Sequence, residues 1–107
     1  MSQYREEKTE ELIRHLAAEF LQRESNRTSL VTVTAVHMVD KLGKAIIYIS
    51  VLPETKEQEA VEFANRQARE FREVLKKRTR LMRLPQVEFA IDYGEKNRQR
   101  IDELSNV

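Results

Sequence analysis

Leu30-Val-Thr-Val-Thr-Ala-Val-His-Met-Val39, Asp40-Lys-Leu-Gly43 and Lys44-Ala-Ile-Ile-Tyr-Ile-Ser-Val-Leu52 form one continuous stretch, and its reading decides the fold. The first and third pieces are dense in β-branched residues, which suit a pleated, half-buried surface. In Lys44–Leu52 the alternation is clean: Ala45, Ile47, Ile49 and Val51 share one face. In Leu30–Val39 it slips, because Val31, Val33 and Ala35 have one parity and Val36 and Met38 the other. One extra residue in a bulge near Ala35 reconciles the two halves. Asp40-Lys41-Leu42-Gly43 supplies a turn, so the stretch reads as an antiparallel hairpin with a longer loop.

On the N-terminal side, Ile13, Leu16, Ala17, Phe20 and Leu21 recur at helical spacing between charged residues, which predicts an amphipathic helix from about Glu6 to Glu24. Its early glutamates Glu6, Glu7, Glu10 and Glu11 suit the positive end of a helix dipole. The polar run Ser25 to Ser29 ends it.

On the C-terminal side, Pro53-Glu54 breaks the strand, and Thr55-x-x-Gln58 matches a capping box. A long helical pattern follows, with Val61, Ala64, Ala68, Phe71, Leu75 and Met82 near one stripe. It contains no Gly or Pro from Lys56 to Leu84, and the pattern fits one helix or two. Pro85 closes it. Gln86 to Asp92 is a third strand with Val87, Phe89 and Ile91 on one face, Tyr93-Gly94 is a turn, and residues 95–104 form a short terminal helix anchored by Ile101 and Leu104. Three strands with helices on one face make a two-layer α+β domain. We expect one antiparallel sheet and a single domain over residues 1–107.

Composition narrows the function. A chain of 107 residues without cysteine has no disulfide framework and no thiolate metal site, and fits a reducing cytosol. No stretch approaches the roughly 20 apolar residues of a membrane span. The formal net charge of +1 hides a segregation. Between Arg66 and Arg83, eight bases (Arg66, Arg69, Arg72, Lys76, Lys77, Arg78, Arg80 and Arg83) face only Glu70 and Glu73. A local concentration of this kind builds a local potential that the whole-chain sum conceals. Arg69, Arg72 and Lys76 follow one another at +3 and +4 on a helix, and Arg80 and Arg83 continue near that ridge. A row of cations on a rigid element suits a phosphate backbone, because each contact releases a condensed counterion and arginine's fork pairs bidentately with phosphate.

Nothing comparable points to catalysis, so we expect no enzyme, cofactor, metal or small-molecule substrate. His15 and His37 read as solvent-facing residues of a helix and a strand. No G-x-S-x-G elbow surrounds a hydroxyl. Two glycines, Gly43 and Gly94, cannot build a phosphate loop.

The element order α-β-β-α-α-β is similar to a type II KH domain. Leu30 to Met38 followed by Asp40-Lys-Leu42, Ala45-Ile-Ile-Tyr-Ile-Ser-Val51, Arg80-Leu-Met-Arg-Leu-Pro-Gln-Val-Glu-Phe-Ala-Ile-Asp92 and Arg100-Ile-Asp-Glu-Leu104 appear in that order. Together they resemble the ribosome-binding factor A family over nearly the whole chain. The resemblance implies a monomeric cytoplasmic assembly factor, not a nuclease. It implies binding to the free small (30S) ribosomal subunit through the 16S rRNA, and assistance in late maturation and processing of that RNA. It also implies a helix-kink-helix centred on an Ala-x-Gly, in place of the usual KH Gly-x-x-Gly loop. Counted back from Pro85, that position falls on Gln67-Ala68-Arg69, or one residue later on Ala68-Arg69-Glu70; the alanine is present and the glycine is not. The alternative from another class is a protein-interaction module that docks the same basic face on an acidic partner protein.

Overall fold

The computed structural model describes residues 2–24, 28–41 and 43–94. Its order is α1 (Ser2–Glu24), β1 (Leu30–Val39), β2 (Lys44–Leu52), a 3-10 turn (Glu54–Lys56), α2 (Glu57–Arg66), α3 (Ala68–Arg78) and β3 (Gln86–Ile91). The expected terminal helix over residues 95–104 lies outside the described residues.

The three strands form one sheet in the order β1-β2-β3. The parity slip in β1 is real: Val33 pairs with Ile49 and Ala35 with Tyr48, so Thr34 is the extra residue. The bulge turns Val33, Val36 and Met38 to the same buried face, beside Ala45, Ile47, Ile49 and Val51 of β2. Thr34 Oγ1 donates its one proton to Asp92 Oδ2 (2.5 Å), with Tyr48 O a second, longer acceptor position at 3.3 Å, and the first contact ties the bulge to the end of β3.

The expectation of a wholly antiparallel sheet is overturned. β1 and β2 are antiparallel, but β2 and β3 are parallel, with Ala45 opposite Val87 and Ile47 opposite Phe89. The reason is the connection: α2 and α3 carry the chain from the Leu52 end of β2 back to its Lys44 end, where β3 begins with Gln86 opposite Lys44, and such a crossover joins parallel strands. Burial is unaffected, since side-chain parity is independent of strand direction. Phe89 is buried, with Val87 and Ile91 packed beside it.

The helices cover that one face. Ile13, Leu16, Ala17, Phe20 and Leu21 of α1 are buried, as are Ala64 of α2 and Phe71 and Leu75 of α3. Phe71 is the junction of the layers, with its ring 5.3 Å from that of Phe20 and 6.2 Å from that of Phe89.

Two helix starts differ from expectation. Helix α1 begins at Ser2, so its first turn holds no acid, and the glutamates from Glu6 onward lie past the reach of the dipole. Glu10 and Glu11 have specific partners instead. Glu10 Oε2 accepts the Met38 backbone N–H at 2.8 Å, and Glu11 pairs with Arg14. No capping box forms at Thr55 either. The Pro53 carbonyl accepts the Lys56 N–H at 2.9 Å, which encloses Thr55 within a 3-10 turn and leaves it no helix to precede. Gln58 donates to Glu62 Oε1 at 3.2 Å.

Candidate nucleic-acid interface

The long helical pattern is two helices, separated at Gln67. That residue has φ −91° and ψ 1°, and its N–H is shared between Phe63 O (3.3 Å) and Ala64 O (3.0 Å). Sharing between the i−4 and i−3 carbonyls tightens the last turn of α2. The Gln67 carbonyl then accepts the Phe71 N–H at 2.9 Å, which starts α3. Among the described residues, only Asp40 and Lys41 have positive φ, so the break is made without a left-handed residue and does not require glycine. Arg69 lies inside α3.

Asn65, two residues before the break, fastens α2 to the sheet. Its Nδ2 donates to Phe89 O at 3.0 Å, and its Oδ1 accepts the Phe89 N–H at 2.8 Å. The carboxamide thus occupies both backbone groups of one residue on the outer edge of β3, as a neighbouring strand would. Covering an edge in this way blocks adventitious strand pairing.

Helix α3 turns Phe71 and Leu75 to the core, which at about 3.6 residues per turn puts Arg69, Glu73 and Lys76 on the opposite side. Arg66, Arg69, Lys76, Lys77, Arg80 and Arg83 are all exposed. Among the described residues, no carboxylate forms an ion pair with any of these six. From Val74 to Val87 the chain holds no acid at all.

The other two basic residues of the tract are engaged. Arg72 is half-buried; its Nε donates to Pro85 O at 2.9 Å and its Nη2 to Leu84 O at 3.5 Å. It clamps the end of the α3–β3 loop onto the helix. Arg78 lies on the side of α3 nearest α1 and pairs with Glu19 at 3.4 Å. The loop that these arginines flank is shaped further by Thr79, whose Oγ1 donates to Leu75 O at 2.6 Å and accepts the Leu81 N–H at 3.4 Å.

A seventh cation joins this surface from a distant part of the sequence. Asp40 and Lys41 adopt left-handed conformations (φ 56° and 50°) in the β1–β2 turn. The turn closes through Gly43 N–H to Asp40 O, and Gly43 O accepts the Gln86 N–H, both at 2.9 Å. A Cβ on Gly43 would lie 2.9 Å from Asp40 O and 3.2 Å from Arg83 Nη2, so glycine is what allows the Arg83 guanidinium to lie against the turn. Lys41 therefore stands beside Arg80 and Arg83. The run of bases in the sequence gave no sign of Lys41, because only hairpin closure brings it there.

His15 and His37 are both exposed. His37 Nδ1 is 3.9 Å from Glu10 Oε2, beyond hydrogen-bond range. Among the described residues, no three His, Asp or Glu side chains converge on a metal position, and no helix is long and apolar enough to cross a membrane.

Comparison with known proteins places this geometry among relatives. A sequence model of the family described as Ribosome-binding factor A matches residues 5–105. A Ribosome-binding factor A of Natranaerobius thermophilus is 31% identical over 107 aligned residues, covering 97% of this chain and 82% of the relative. The crystal structure of ribosome-binding factor A from Thermus thermophilus superposes with a TM-score of 0.72 at 26% identity, over 80% of this chain and 93% of that one. A homology model of Thermus thermophilus ribosome-binding factor A, fitted into a cryo-EM map of its 30S complex, superposes with a TM-score of 0.65 at 27% identity. That alignment covers 75% of this chain and 87% of the fitted model.

Proposed function

This chain belongs to the ribosome-binding factor A family, and from that membership we propose that it binds the free small ribosomal subunit through 16S rRNA and assists late maturation and processing of that RNA. It acts as a monomeric, cytoplasmic, non-enzymatic assembly factor. The observation that supports an RNA partner is the set of exposed cations Lys76, Lys77, Arg80 and Arg83, which among the described residues pair with no carboxylate, in a segment with no acid. Arg66 and Arg69 extend the set across the helix break. Arg72 and Arg78 position it, the first by holding the loop carbonyls and the second by joining α3 to α1.

Contacts of this kind bind the backbone and carry little sequence information. Their free energy comes largely from counterion release, so affinity should fall linearly with log salt concentration. Four to six phosphate contacts give a slope between roughly −3 and −5. The test is co-sedimentation with purified small subunits across a salt series, using the parent and a variant with Arg69, Lys76, Lys77 and Arg80 all changed to Ala. The variant should remain folded, bind more weakly, and show a shallower slope. A folded variant that binds small subunits as tightly as the parent overturns the proposal. Binding by the basic face to an acidic protein in place of the RNA overturns it too.

A further inference from the structure

Between the β1–β2 turn and the α3–β3 loop lies a cleft of about 350 Å³. Its apolar walls are Met38, Leu81, Met82 and Pro85. Among the described residues, Lys41, Arg80, Arg83 and Thr9 make up the rest of the lining, and no carboxylate is part of it. The volume falls in the range of small-molecule sites, roughly 300–1,000 Å³.

Both walls are fixed by contacts already described. On one side, Asp40 and Lys41 hold left-handed conformations and the turn is closed through Gly43. On the other, Arg72 clamps the Leu84 and Pro85 carbonyls, and Thr79 secures the backbone entering Leu81. Arg83 bridges the two by lying against Gly43. Against this order, Met82 is fully exposed, at 104%. Its neighbours in sequence are Leu81 and Arg83, so an apolar side chain is presented to solvent among cations.

We infer that this cleft receives one unstacked nucleobase of single-stranded RNA, with the phosphates on either side of that nucleotide on Lys41, Arg80 and Arg83; this rests on the RNA-binding reading above. An unstacked base offers flat apolar faces with a fixed negative charge before and after it. That pattern matches apolar walls ringed by cations. Single-stranded segments are also where proteins find bases splayed out of a helix, and guanidinium planes stack on such bases. An acidic peptide fits less well. Strand addition would need an open backbone edge at the cleft, and the Met38 N–H is already given to Glu10.

The test uses the full chain and a short single-stranded oligoribonucleotide carrying 2-aminopurine at its centre, beside an oligonucleotide with an abasic centre. A variant with Leu81→Ala and Met82→Ala keeps every cation, and its fold is checked by thermal unfolding. The parent should change the 2-aminopurine fluorescence on binding and should bind the abasic oligonucleotide about tenfold more weakly. The variant should lose a similar factor on the intact oligonucleotide and almost none on the abasic one, with an unchanged salt slope. Equal affinity of the parent for intact and abasic oligonucleotides overturns the inference, as does a variant that loses the same factor on both. Displacement of the intact oligonucleotide by an acidic peptide, from the parent and not from the variant, would assign the cleft to a protein partner and overturn it too. If the parent binds neither RNA nor small subunits, the functional reading itself has failed. That result is distinct from RNA binding that ignores the base.

Discussion

Replacing Arg72 with Ala separates two roles that a basic residue in this tract could have. The guanidinium donates from Nε to Pro85 O at 2.9 Å, while the contact from Nη2 to Leu84 O, at 3.5 Å, is at the limit of hydrogen-bond length. Counting the first as one hydrogen bond from a charged donor, its loss costs about 1.5–3 kcal/mol. The second adds little. With a urea dependence of roughly 1–3 kcal/mol per molar for a small protein, the midpoint should fall by about 1 M. Arg72→Lys should recover only part of this, since an ammonium is a point charge without the planar fork that reaches two carbonyls. The assay is urea unfolding of both variants beside the parent, with RNA affinity measured across salt well below each midpoint. The slope of log affinity against log salt should stay within a few tenths of the parent value, because a clamped guanidinium displaces no counterion. An Arg72→Ala protein as stable as the parent, with a slope shallower by about one, would refute the clamp and return Arg72 to the phosphate contacts.

Asn65→Ala removes both partners of the Phe89 backbone and should cost about 1–3 kcal/mol in urea unfolding. Asn65→Asp keeps one acceptor but sets a carboxylate against the Phe89 carbonyl, so its stability should recover in acid, where the protonated group can donate again; a loss that does not vary with pH would contradict this. Arg69→Gly lies within α3 at a residue without positive φ, so it should destabilise by about 0.5–1 kcal/mol; a gain in stability would mean that the helix break needs a left-handed residue after all. The hydrogen bond from Arg14 holds the Glu11 carboxyl below the usual carboxylate range. Its small contribution is therefore present above the unfolded-state value and lost as pH falls through the lower folded value. An NMR titration of Glu11 should show the lowered midpoint, and Arg14→Gln should raise it.

What was legible in the sequence is what depends on near neighbours. The periodicities of Ile13 to Leu21, of Ala45 to Val51 and of Val87 to Ile91 identified the buried face of each element, because parity and helical phase are set within a few residues. The slip between Val33 and Val36 announced a bulge for the same reason. The concentration of bases between Arg66 and Arg83 was visible as composition. The direction of β3 was not, because it depends on where the two crossover helices return the chain, and side-chain alternation is identical for either direction. Helical periodicity did not show the helix break either; only the family resemblance put a kink near Gln67-Ala68-Arg69. Gln67 makes it through a shared hydrogen bond, while Asn65 anchors the end of α2 to β3, 24 positions along the chain. The eight bases looked equivalent in sequence and are not equivalent in space. Arg72 and Arg78 are held by groups on other elements, and Lys41 is brought to Arg80 and Arg83 by a turn 39 positions before Arg80. Charge can be counted along a chain, but which charges remain available to a ligand is decided by long-range contacts that only the folded chain makes.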